Sequence, residues 1–141
     1  MATFKRFEEI DCWKRARELT RAIYSVSSKS PFSRDFGLKD QIRKASVSVM
    51  SNIAEGFERR RRTEFFRFLE IAKGSCAEVS SHLYVAFDVG YVAESQFLSL
   101  LGQASELQRI LGGLKASVAR SADAERGGPQ ARASGLGTRN S

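Results

Sequence analysis

The side chains that most often perform catalysis are scarce in this sequence, which has one histidine, His82, and two cysteines, Cys12 and Cys76. Cys76 and His82 could form a nucleophile–base pair, but six residues of α-helix rotate them by about 600°, onto different faces. A di-iron centre in a helical bundle needs two Glu-x-x-His pairs, whereas Val79 stands three residues before the histidine. We therefore expect no catalytic site, no metal site and no cofactor.

The spacing of residues also excludes a ribonuclease site and a phosphate-binding loop. Helical ribonucleases of the HEPN type carry an Arg-x(4–6)-His motif, but Ser75, Cys76 and Ala77 occupy the positions where that arginine would stand. The sequence also has no Gly-x(4)-Gly-Lys-Ser/Thr loop for phosphates. We expect both cysteines to lie in the core as small apolar residues, and His82 to face solvent or an interface. The protein is predicted to be a non-enzymatic binding protein.

Positive charge is the chemistry that this sequence does concentrate. Lysine and arginine number 23 against 16 aspartates and glutamates, a net charge of +7. Guanidinium groups bind phosphate oxygens bidentately, so RNA or DNA is the first candidate partner. The predicted nucleic-acid-binding residues are Arg43, Lys44, Arg59, Arg60, Arg61, Arg62 and Arg67. The same charge is also compatible with an acidic protein partner, or with simple solvation of a loop.

Helical periodicity accounts for four segments before residue 120, and no segment alternates with the period of a strand. The four apolar stripes contain Leu19, Ile42, Phe68 with Leu83, and Leu107, and Tyr24 flanks the first stripe. The first helix should end before Ser30-Pro31, because a residue preceding proline disfavours the α conformation. The third should follow Thr63 as its N-cap and stop near Gly90. The pattern in residues 1–120 therefore predicts an all-α, antiparallel up-down-up-down four-helix bundle.

The remaining residues, 121–141, contain Leu136 as their only large apolar residue. They are expected to form a disordered tail, because they cannot bury enough surface to offset the entropy lost on ordering. No stretch approaches the roughly 20 apolar residues of a membrane span, and the N-terminus lacks the apolar region of a secretory signal. We expect a cytoplasmic protein with no membrane partner.

The second predicted helix, between Leu38 and Phe57, is apolar over about 200° of its circumference. A one-sided helix buries only about 100°. Its second apolar stripe contains Val47 and Met50. We interpret the excess as a surface that a neighbouring copy of the chain covers.

Two motifs carry a family resemblance. Ser48–Gly56 reads Ser-Val-Met-Ser-Asn-Ile-Ala-Glu-Gly, and Ile71–Val79 reads Ile-Ala-Lys-Gly-Ser-Cys-Ala-Glu-Val. Together with Gln41–Ala45 and Phe65–Leu69 they resemble the 23S rRNA intervening-sequence protein family, over roughly residues 4–119. The resemblance implies a small bacterial four-helix-bundle protein that forms a ring-like homopentamer and has no defined catalytic residues. A related branch, the accessory variability protein of diversity-generating retroelements, is a basic pentamer that binds a reverse transcriptase and nucleic acid.

The motif positions and the second stripe together predict structural or subunit-interface residues. These are Val47, Met50, Asn52, Glu55, Gly56, Gly74, Ser75 and Glu78. A ring would place the arginines of every subunit on one assembly and multiply their contacts with phosphates. The predicted function is nucleic-acid binding by an oligomer, and the alternative is an adaptor or scaffold for an acidic protein such as a polymerase.

Overall fold

Four α-helices account for most of the described chain. The structure is a computed structural model that describes the backbone of residues 4–126 and the side chains of residues 4–121. The helices are α1 (Asp11–Ser27), α2 (Phe36–Glu58), α3 (Arg62–Asp88) and α4 (Glu94–Arg126). Short 3-10 turns at Phe7–Glu9 and Phe32–Arg34 precede α1 and α2. Each helix packs against the next and α4 also packs against α1, which confirms the predicted four-helix bundle.

The core consists of the apolar stripes that the periodicity predicts. Its fully buried members include Leu19, Ile23, Ile42, Ile53, Leu69, Leu83, Leu107 and Leu111. Cys12 and Cys76 are buried among them, as expected. Burial disfavours the thiolate, and it raises the pKa of Cys12 to about 12 and that of Cys76 to about 11. Neither thiol is therefore a nucleophile at neutral pH.

Local sequence determines where α1 and α3 end. Helix α1 ends at Ser27, before the Ser30-Pro31 bond, as predicted. Helix α3 ends at Asp88, and Gly90 follows with a left-handed φ of 82°. The N–H of Tyr91 donates a hydrogen bond to the carbonyl of Ala86, which is the pattern of a Schellman motif. The glycine was therefore a reliable stop signal.

The start of α3 and the end of α4 differ from prediction. Thr63 is not the N-cap of α3, because the helix already begins at Arg62 with Arg61 in the cap position. Helix α4 continues to Arg126, six residues beyond the predicted end of the bundle at residue 120. The added segment is rich in alanine, which has the highest helix propensity, and in charged residues that favour helix. The rest of the predicted tail, residues 127–141, lies outside the described residues.

The second apolar stripe of α2 is partly covered inside the protomer. Helix α2 contacts α1 and the turn at Phe7–Glu9 as well as α3. Met50 and Phe57 are partly buried and pack against the core. Val47 is different, because 39% of it is exposed.

Candidate functional site

The densest group of arginines lies at the reversal between α2 and α3. Three residues, 59–61, connect the two helices. Arg60 has a left-handed φ of 62°, in a region where residues other than glycine are uncommon. Arg61 is extended, with φ −119° and ψ 132°. We call Arg59–Arg62 together with Arg67 the arginine corner, of which all except the half-buried Arg62 are exposed.

Aromatic rings support the guanidinium groups of this corner. The guanidinium carbons of Arg59 and Arg67 lie 5.2 and 4.6 Å from the centroid of the Phe68 ring. Arg60 lies 5.0 Å from the ring of Phe57. Cation–π contacts at these distances are favourable, and they restrict the rotation of long side chains. The corner therefore holds three cationic groups in defined positions at the surface.

Glutamates surround the corner and partly balance its charge. Three arginines pair with a nearby carboxylate, at N–O distances of 2.9, 3.2 and 3.7 Å: Arg59 with Glu55, Arg67 with Glu64, and Arg60 with Glu58. The hydrogen bond from Arg67 lowers the pKa of Glu64. Exposed pairs of this kind contribute only about 0–1 kcal/mol, so a phosphate can replace the carboxylate at small cost. The side chain of Arg61 forms no ion pair with the described residues.

Arg43 and Lys44 do not belong to this corner. They precede Arg59 by about four turns of α2, which places them roughly 24 Å away along the helix. Arg43 instead contacts the last turn of α1, where its Nε donates a hydrogen bond to Ser27 Oγ at 2.8 Å. Its Nη2 donates to Ser28 Oγ and to the carbonyl of Tyr24, at 3.0 and 3.3 Å. The predicted set of nucleic-acid-binding residues thus separates into two places.

Two of the predicted structural residues hold α2 against α3 inside one protomer. Gly56 is buried against Phe68. Ser75 is buried and its hydroxyl shares a hydrogen bond of 2.8 Å with Ser48 Oγ. Asn52 acts within α2, where its Nδ2 donates to the backbone carbonyl of Ser48, also at 2.8 Å. All of these contacts lie within one chain.

The other predicted interface residues are on the surface: Val47, Glu55, Gly74 and Glu78. A β-carbon on Gly74 would meet no atom within 4 Å, so no second backbone approaches this glycine within the protomer. Ile71 and Val85, on the same helix, are 42% and 45% exposed. A shallow groove of about 290 Å³ lies between α2 and α3, and Lys44, Ser48, Ser75 and Glu78 contribute to its lining.

Comparison with known proteins places the chain in a family. A family model described as 23S rRNA-intervening sequence protein matches residues 8–113. The chain belongs to this family. The chain is also similar to the crystal structure of a protein with unknown function from the S23 ribosomal protein family of Bacteroides thetaiotaomicron VPI-5482. That match has a TM-score of 0.68 and 20% identity, and covers 74% of this chain and 95% of the other. At this identity the likeness shows a common fold. The search of curated proteins found no match.

Two contacts in this chain could not be predicted from its sequence. Phe68 was identified only as a core residue; it is 6% exposed, yet it also supports Arg59 from another helix. Tyr24, whose ring lies 4.3 Å from the guanidinium carbon of Arg43, was identified only as flanking a core stripe. No local pattern indicates either contact, because each joins two different helices.

Among the described residues, no group of three or more histidine, cysteine, aspartate or glutamate side chains is arranged to hold a metal ion. None of the described helices is both long and apolar enough to cross a bilayer. The arginine corner and the surface grooves beside α2 carry the candidate functions of this chain.

Proposed function

We propose that this protein binds RNA or DNA through the arginine corner, as a non-enzymatic homo-oligomer in the cytoplasm. The conformation of Arg60 carries the proposal. Glycine adopts a φ of 62° without steric cost, whereas an arginine there costs on the order of 1 kcal/mol. A strained backbone position occupied by an exposed charged side chain is typical of functional sites. The strain therefore favours a role for the Arg60 side chain beyond making the turn.

The charge around Arg60 supports a phosphate ligand. Between Glu55 and Arg67 the sequence has five arginines and three glutamates, and the pairs among them are weak because they are exposed. A nucleic acid that binds these arginines releases condensed counterions, which adds a favourable, salt-dependent term for every phosphate contact. The aromatic support of Arg59 and Arg67 lowers the entropy lost when they bind.

Oligomerisation would multiply these contacts. The exposed Ile71 and Val85 and the open Gly74, all on α3, together favour a second copy packing closely on this side. The family resemblance implies a pentamer, which would present several arginine corners to one strand. Linked weak sites bind far more tightly than one site alone.

The decisive experiment compares two double variants with equal loss of charge. Arg60→Gly with Arg61→Ala alters the corner, whereas Lys29→Ala with Arg34→Ala removes the same charge from the opposite end of the bundle. Single-stranded RNA is titrated at several salt concentrations. The corner variant should lose at least about tenfold in affinity, and its salt slope should fall by about 0.7 for each lost contact.

Two outcomes would contradict the proposal. One is RNA binding that is independent of salt, and the other is an equal loss of affinity in both double variants. An acidic protein that is captured after nuclease treatment, together with absent RNA binding, would support the adaptor function instead.

A further inference from the structure

A second groove lies where the end of α1 meets α2. It is an open surface groove of about 620 Å³. Its lining consists of Tyr24, Asp40, Arg43, Lys44, Val47, Ser48 and Ser51, of which Lys44 and Ser48 also line the first groove. Arg43 is about four helical turns from Arg59, so the cations of this groove are separate from the arginine corner.

Arg43 is held in place in this groove without being neutralised. Its Nε and Nη2 donate to two serine hydroxyls and one backbone carbonyl, all of which are uncharged acceptors. Within the described part of the chain, Nη1 has no acceptor and no carboxylate pairs with the guanidinium. A cation that is already ordered loses little entropy when it binds an anion.

Lys44 and Ser51 add a second charge and a hydroxyl. Lys44 is exposed and forms no ion pair with the described residues. The Ser51 hydroxyl likewise has no hydrogen bond among them. Arg43 and Lys44 outweigh the single carboxylate of Asp40 in the lining, so the groove attracts a phosphomonoester, whose charge is about −1.5 to −2 at pH 7.

The ring of Tyr24 distinguishes this groove from a site for phosphate alone. The tyrosine is 41% exposed, with the Arg43 guanidinium over one face of its ring, so a nucleobase would stack on the opposite face. Asp40 supplies a carboxylate that can accept hydrogen bonds from a ribose. We propose that this groove binds a nucleotide, with its phosphate at Arg43 and Lys44 and its base on Tyr24. The inference does not depend on the function of the arginine corner.

Calorimetric titration of the full-length protein with adenosine 5′-monophosphate tests the proposal. Lys44→Gln should weaken binding at least about tenfold, since a charge-assisted hydrogen bond is lost. Lys44→Arg should retain most of the affinity. Lys39→Gln is the matched control, because Lys39 lies on the same helix outside the groove. Adenosine and inorganic phosphate should each bind at least about tenfold more weakly than the nucleotide.

A free nucleotide and the 5′-phosphorylated end of a strand share this chemistry, and a short oligonucleotide with and without its 5′-phosphate separates them. If only the phosphorylated form displaces the mononucleotide or binds in its place, the site takes strand ends. Binding that is absent for all phosphate-bearing probes, is unaffected by Lys44→Gln, or is equally tight for inorganic phosphate would overturn the proposal. The arginine-corner variant should bind the mononucleotide normally, so failure of one proposal is distinguishable from failure of the other.

Discussion

A β-carbon on Gly56 would lie 2.6 Å from the Cβ of Phe68, closer than two carbon atoms can pack. Helices α2 and α3 therefore approach each other closely just before the chain reverses at the arginine corner. This approach places Phe68 within reach of Arg59, which directly follows α2, as well as Arg67 on α3. Gly56 thus positions two of the cations that we propose to bind phosphate.

Gly56→Ala should destabilise the protein by about 1–3 kcal/mol, because the added carbon forces the helices apart. The result would run against helix propensity, which favours alanine by about 1 kcal/mol. Gly102→Ala is the control, since a β-carbon there meets no atom within 4 Å, and it should stabilise. Urea unfolding measures both variants, and a stabilised Gly56→Ala protein would contradict the packing described here.

Gly74→Ala separates the stability of the helix from the association of subunits. A β-carbon at this position meets no atom within 4 Å in the protomer. The free energy of unfolding of the protein should therefore rise by about 1 kcal/mol, because alanine favours helix over glycine. If a second copy packs on Gly74, the added carbon should weaken association. The oligomer of the Gly74→Ala protein should then dissociate at a higher protein concentration than the oligomer of the Gly102→Ala protein. Sedimentation velocity measures this difference, and a wild-type protein that stays monomeric at micromolar concentration would rule out the oligomer.

Arg60→Gly should stabilise the protein by about 1 kcal/mol, because glycine relieves the cost of the left-handed backbone. Arg61 lies in ordinary extended backbone, so Arg61→Gly should instead lower the stability of the protein by about 0.5–1 kcal/mol. Chemical denaturation compares the two variants. We expect Arg60→Gly to be more stable and yet to bind RNA more weakly, a combination that a purely structural arginine would not produce.

Tyr91→Phe should remove the alkaline part of the pH dependence of stability. Tyr91 Oη donates a hydrogen bond to Asp35 Oδ2 at 2.9 Å, and this bond raises the pKa of Tyr91. Because the folded pKa exceeds the unfolded value of about 10, the stabilisation is complete below that pH and is lost as the pH rises through the raised pKa. Thermal unfolding at neutral and alkaline pH should show a smaller alkaline loss in the variant. Identical profiles would contradict the role of the bond.

Local patterns predicted much of the bundle and less of the site. The stripes that contain Leu19, Ile42 and Leu83 were identified because a period of 3.6 residues places them on one face of each helix. The second stripe of α2 was assigned to another copy. Within the protomer Met50 is partly buried against the core, whereas Val47 is exposed, and that assignment stays a prediction. The four arginines were found as a run, but four identical residues give no signal of which one adopts a left-handed φ.

By itself the sequence determined the four helices, the buried cysteines and the left-handed stop at Gly90, because each follows from spacing or from the conformational freedom of one residue. Only the tertiary structure decided that Arg43 binds the end of α1 and that Gly56 admits Phe68. It also decided that the basic residues lie in two separate places. Those outcomes depend on how helices pack, which brings together side chains that no local pattern connects.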